Sequence, residues 1–165
     1  MRSLDRLSPK RALLGGAVLL ALALPAAAAS GPFAEFSGSW SGNGTIHPEG
    51  GNSERIRCNG TYSPRGGTEL DVKLRCASDS YKFDLSGHLT AASNNQISGQ
   101  WNENSRGIGG SVTGTANGSR MLMHTETAGF SADLTMVMQG RRQDVTISSH
   151  GGGQIVKASI TMSRR

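Results

Sequence analysis

Aromatic residues make up only 5% of this 165-residue chain, cysteines number two and prolines five, and charged residues contribute 18%. Two cysteines cannot staple a miniature disulfide scaffold. No heptad repeat is present, which excludes a coiled coil. The longest apolar run is Ala12 to Leu24, shorter than the roughly 20 residues a spanning helix needs. Catalytic signatures are missing as well. There is no G-x-S-x-G, H-E-x-x-H, phosphate-binding loop or dinucleotide fingerprint. The four histidines, His47, His88, His124 and His150, are scattered along the chain. No acid–base pair stands out, so the expectation is a non-enzyme without a cofactor.

The formal net charge of +5 is unevenly spread. Arg2, Arg6, Lys10 and Arg11 precede the apolar run, Pro25 breaks it, and Ala27-Ala28-Ala29 supplies small residues for cleavage. This order is that of a secretory signal peptide. The expected division is a leader over 1–29 and one domain over 30–165, exported to the periplasm or the medium. The leader takes four of the 17 Lys+Arg and one of the 12 Asp+Glu, leaving 13 against 11, a net of +2. So balanced a chain does not suggest a nucleic-acid partner, and the exported part carries no transmembrane helix.

What the chain does have is glycine, 23 residues of it, inside a period-2 pattern. Phe36, Gly38, Trp40, Gly42, Gly44 and Ile46 alternate with Ser37, Ser39, Ser41, Asn43 and Thr45. Alternation of this kind marks half-buried strands. It returns in Ile56-Cys58-Gly60-Tyr62, Leu70-Val72-Leu74-Cys76, Phe83-Leu85-Gly87-Leu89, Ile97-Gly99-Trp101, Ile108-Gly110-Val112-Gly114-Ala116, Phe130-Ala132-Leu134-Met136-Met138, Val145-Ile147 and Val156-Ala158-Ile160-Met162. The strand near Arg120–Thr127 has no clear facing. Ser63–Gly67, Asn117-Gly118 and Ala128-Gly129 have turn chemistry.

The expected fold is therefore all-β: a single antiparallel up-and-down barrel of about 8–10 strands with short hairpin loops. Closure removes the two edges that an open meander would expose. A two-sheet sandwich is the alternative. Cys58 and Cys76 fall on the apolar faces of consecutive strands and are expected to form a disulfide.

Phe36-Ser37-Gly38-Ser39-Trp40 resembles the G-x-W signature that opens the first strand of lipocalins and related calycins, and also the first strand of avidin-type barrels. The resemblance implies that Trp40 lies across a closed barrel end, with Arg164 or Arg165 packed on it. Ile97-Ser98-Gly99-Gln100-Trp101 is similar to the G-x-W-like repeats of avidin-type strands. The rest of the chain resembles small exported proteins of Gram-negative bacteria, which implies no activity.

Three functions follow as expectations. The first is binding of a small apolar or amphipathic ligand by the interior, with Trp40, Tyr62, Phe83, Trp101, Phe130 and Met136 lining or flooring it. The second is interaction with an envelope protein, in the manner of a protease-inhibitor-like barrel or an assembly factor, using residues 30–35 as a protruding trunk. The third is Cu(I) handling by Met121, Met123, Met136 and Met138, paired Met121 with Met138 and Met123 with Met136 across one hairpin. Methionine as adaptable core filler is the simpler account. Arg55, Arg57, Lys73 and Arg75 share the outward face of one hairpin. They suggest either a solvated surface or a patch for anionic groups.

Overall fold

The computed structural model describes residues 31–165. The expected leader, 1–29, lies outside the described residues.

A short 3-10 turn, Ala34–Phe36, precedes ten strands: β1 (Gly38–Pro48), β2 (Glu54–Arg65), β3 (Glu69–Ala77), β4 (Lys82–Ala91), β5 (Gln96–Glu103), β6 (Ile108–Asn117), β7 (Arg120–Thr127), β8 (Phe130–Gln139), β9 (Arg142–Gly151) and β10 (Ile155–Arg164). Each strand pairs antiparallel with its neighbours in sequence, and β10 returns to β1, so the sheet is a closed up-and-down barrel. Odd-numbered strands start, and even-numbered strands finish, at the end that holds the N-terminal turn. Apolar residues on the inward parity form one continuous core.

Cys58 and Cys76 are directly opposed on β2 and β3 and are joined by a disulfide, with Cα atoms 4.1 Å apart. At two inward glycines the neighbouring strand comes very close. A Cβ at Gly42 would occupy the place of the Thr161 carbonyl, and one at Gly114 that of the Leu122 carbonyl. Only glycine permits the adjacent backbone to approach so closely.

Three expectations need correction. The β2–β3 turn is not Ser63–Gly67. β2 continues through Pro64 to Arg65, and Gly66 and Gly67, both at positive φ, make the turn. Pro64 lies beyond the last β1–β2 pair, Gly38 with Tyr62, where β2 has one neighbour and a missing N–H is tolerated. Val156 does not point inward. It is the extra residue where pairing jumps from His47–Lys157 to Pro48–Ile155, and it is 39% exposed. Met121 pairs with Met136, and Met123 with Leu134. Thr127 and Phe130 close a two-residue turn, which moves the register by two from the expected pairing.

Candidate functional site: a barrel closed at one end

The turn end is sealed. Phe33 and Phe36 are fully buried beneath the first strand. Trp40 donates its indole N–H to the Phe36 carbonyl at 3.0 Å, which ties the turn to the barrel floor. Arg164 is opposite Trp40 in the β1–β10 register. Its guanidinium stacks 4.8 Å from the indole centroid and donates to the Glu35 carbonyl. The resemblance thus identifies the pair correctly, with Arg164 rather than Arg165 on Trp40. Residues 31–36 are consequently a plug, not a protruding trunk. Their apolar side chains are spent inside the barrel.

Leu70, Ile97, Ala116, Met121, Met138 and Met162 complete this sealed layer, all at most 4% exposed. Two polar groups sit within it. Burial pushes the Tyr62 phenol well above its ordinary value of 10.0, and the nearby Gln143 amide opposes this slightly. Gln143 is itself fully buried, yet neither its amide nitrogen nor its oxygen has a hydrogen-bond partner in good geometry.

The opposite end is different. Leu74, Phe83, Leu85, Trp101, Met123, Leu134 and Ile147 all occupy inward positions, yet each is only half-buried. They belong to β3, β4, β5, β7, β8 and β9, so the interior is reached by solvent along that wall. The wall of β1, β2 and β10 stays sealed over its length, with Ile46, Ile56, Cys58 and Ile160 buried. Tyr81 and Phe83 stack at 6.4 Å on the rim, and the Arg106 guanidinium lies 5.2 Å from the Phe83 centroid. Ile108, expected inside, is 44% exposed at this mouth. A surface hollow of about 320 Å³ at the β7–β8 turn is bordered by Phe130, Glu126 and His150.

Among the described residues one acid is buried on the inward face. Glu103 follows the parity of Ile97, Gly99 and Trp101 and is 5% exposed. It accepts from the backbone N–H groups of Asp84 at 2.8 Å and Arg106 at 2.8 Å. Burial raises its proton affinity, but these N–H groups and Ser105 outweigh it and hold the carboxyl below its ordinary value of 4.5. Its role is to fix the β5–β6 turn. Trp101 beside it has a buried indole N–H with no partner.

The expected interior residues therefore divide. Trp40, Tyr62 and Met136 belong to the sealed half; Phe83, Trp101 and Phe130 belong to the open half. Half-buried Leu74, Leu85, Leu134 and Ile147 were not singled out as lining residues from the sequence, although their parity marks them, and Met123 was named only as a Cu(I) candidate. Met121, Met136 and Met138 meet in the buried core, whereas Met123 lies toward the open half. His124 is on the outer face. It bonds Asp133 at 2.7 Å and Glu126 at 3.1 Å, so imidazole and thioethers do not share a site. The Asp133 and Glu126 carboxylates hold the His124 pKa above its ordinary 6.5. Among the described residues no group of three or more His, Cys, Asp or Glu is placed to hold a metal.

Arg55, Arg57, Lys73 and Arg75 are all outward and exposed. Arg75 pairs with Asp84 at 3.1 Å. No helix among the described residues is long and apolar enough to cross a membrane.

No family model and no curated protein matches the chain. Solved structures do. Rv2717c from M. tuberculosis superposes with a TM-score of 0.66 at 14% identity, over 81% of this chain and 94% of that one. The S-type phycobiliprotein lyase CPES from Guillardia theta gives 0.59 at 12% identity, over 81% and 89%. At such identities the likeness is one of fold alone: a closed antiparallel barrel.

Proposed function

We propose that this chain is an exported binding barrel that holds a small apolar or amphipathic ligand in its open half and does no chemistry on it. One observation carries this. Inward apolar side chains are solvent-accessible on one side only, while the opposite end is plugged. A soluble protein that leaves Leu85, Trp101, Leu134 and Ile147 half-wetted inside its own barrel loses burial that a guest would restore, at about 25 cal/mol per Å² of apolar surface covered. The unpartnered Trp101 N–H favours a guest that carries a hydrogen-bond acceptor. The leader-like first 29 residues and the disulfide support export to an oxidising compartment. Among the described residues the one inward acid, Glu103, is committed to backbone N–H groups, which supports the non-catalytic part.

Native mass spectrometry of the protein purified from its own host tests the proposal. The expected mass is that of a chain beginning at Ser30 plus a non-covalent guest. Leu134→Phe, which narrows the open half, should lower guest occupancy about tenfold, equivalent to about 1.4 kcal/mol. A guest-free protein at every purification, or occupancy indifferent to Leu134→Phe, would overturn it.

A further inference from the structure

The outer surface carries a row of arginines that plays no part in the barrel interior. Arg55 and Arg57 are successive outward residues of β2, about 7 Å apart along the strand. The next outward position is Asn59. Its side-chain oxygen accepts from the Arg165 guanidinium at 2.6 Å, and Arg165 is anchored by its own N–H to the Ser39 carbonyl at 2.9 Å. The last residue of the chain thus reaches over β1 and places a third guanidinium at the next step of the same row. Arg65, Arg75, Arg106 and Arg142 are paired with carboxylates. Arg55, Arg57 and Arg165 have no such pairing among the described residues.

The row borders a groove of about 730 Å³, lined by Ser41, Asn43, Asn59 and Ser78 together with Ile56, Cys58 and Ala77, and whose one acidic side chain is Asp79. Three unpaired guanidiniums in series on a concave, hydroxyl- and amide-bearing surface complement negative groups in series.

We propose that this groove binds a soluble linear polyanion, a chain bearing successive phosphate groups, with the flexible arginine side chains converging on its anionic groups. A flat anionic bilayer does not follow a concavity. A single-stranded nucleic acid would lack stacking partners, since no aromatic residue lines the groove.

Titration calorimetry of the purified protein with tripolyphosphate, pyrophosphate and phosphate tests this. Affinity should rise in the order phosphate, pyrophosphate, tripolyphosphate, and should weaken with added KCl. The double variant Arg55→Gln/Arg57→Gln should lose about tenfold or more in tripolyphosphate affinity. Arg165→Gln should lose less, and Lys73→Gln, outside the groove, should bind as the parent does. No tripolyphosphate binding, or binding unchanged in the double variant, would overturn the proposal. So would a preference for phosphatidylglycerol vesicles or a single-stranded oligonucleotide over tripolyphosphate. Guest occupancy of the interior should be the same in all these variants, which separates failure here from failure of the interior site.

Discussion

Glu103 and Gln143 are inward polar side chains in a mostly apolar core, and they are satisfied very differently. Glu103 accepts from backbone N–H groups of Asp84 and Arg106, whereas the Gln143 amide has no partner. The Glu103 pKa is lower folded than unfolded. Its stabilisation is therefore present above 4.5, its ordinary value, and is lost as pH falls through the lower folded value. Glu103→Gln should cost about 1–3 kcal/mol at neutral pH. It should also flatten the decline in melting temperature below that ordinary value. Parallel melting curves for parent and variant across the acid range would show that the carboxylate contributes nothing. Both residues were within reach of the parity rule, by continuing two positions from Trp101 and from Val145. They escape a search keyed to apolar residues, because alternation is recognised by hydropathy and these two positions break it.

At the scale of the strand, glycine separates into two kinds. At Gly114 an added Cβ would run into the Leu122 carbonyl, a backbone atom that cannot step aside. At Gly87 it would meet only the Gln100 carbonyl at 3.5 Å and Val72 at 3.8 Å, ordinary contact. Gly114→Ala should therefore destabilise by about 1–3 kcal/mol, and Gly87→Ala should cost little or stabilise slightly through the reduced freedom of the unfolded chain. Denaturant midpoints decide this, and equal midpoints would refute it. Both glycines share the same inward parity in the sequence. What separates them is the local coiling of the sheet, which depends on the neighbouring strand. The β7–β8 register was misjudged for a related reason. Several pairings bring methionines together, and a turn one residue shorter or longer at each side moves them all.

For the molecule as a whole, the asymmetry between ends is the central property. Phe33 and Phe36 close one end, and Arg164 links the last strand to the first through Trp40. Phe36→Ala should destabilise by about 3–5 kcal/mol. In a Trp101→Phe background it should also expose Trp40 to an aqueous fluorescence quencher. An indole that stays shielded would mean that the plug does not seal the barrel.

The alternation of apolar and small residues with polar ones determined the strands, most of their inward faces, the disulfide partners and closure, because period-2 burial is a local property of the chain and an unclosed meander leaves edges. The G-x-W resemblance placed Trp40 and the arginine that covers it. Only the tertiary structure decided which end is sealed, which interior residues water reaches, and that Arg165 joins Arg55 and Arg57 in a row. Each of these depends on residues far apart in sequence meeting across strands, at distances set by the coiling and register of the whole barrel.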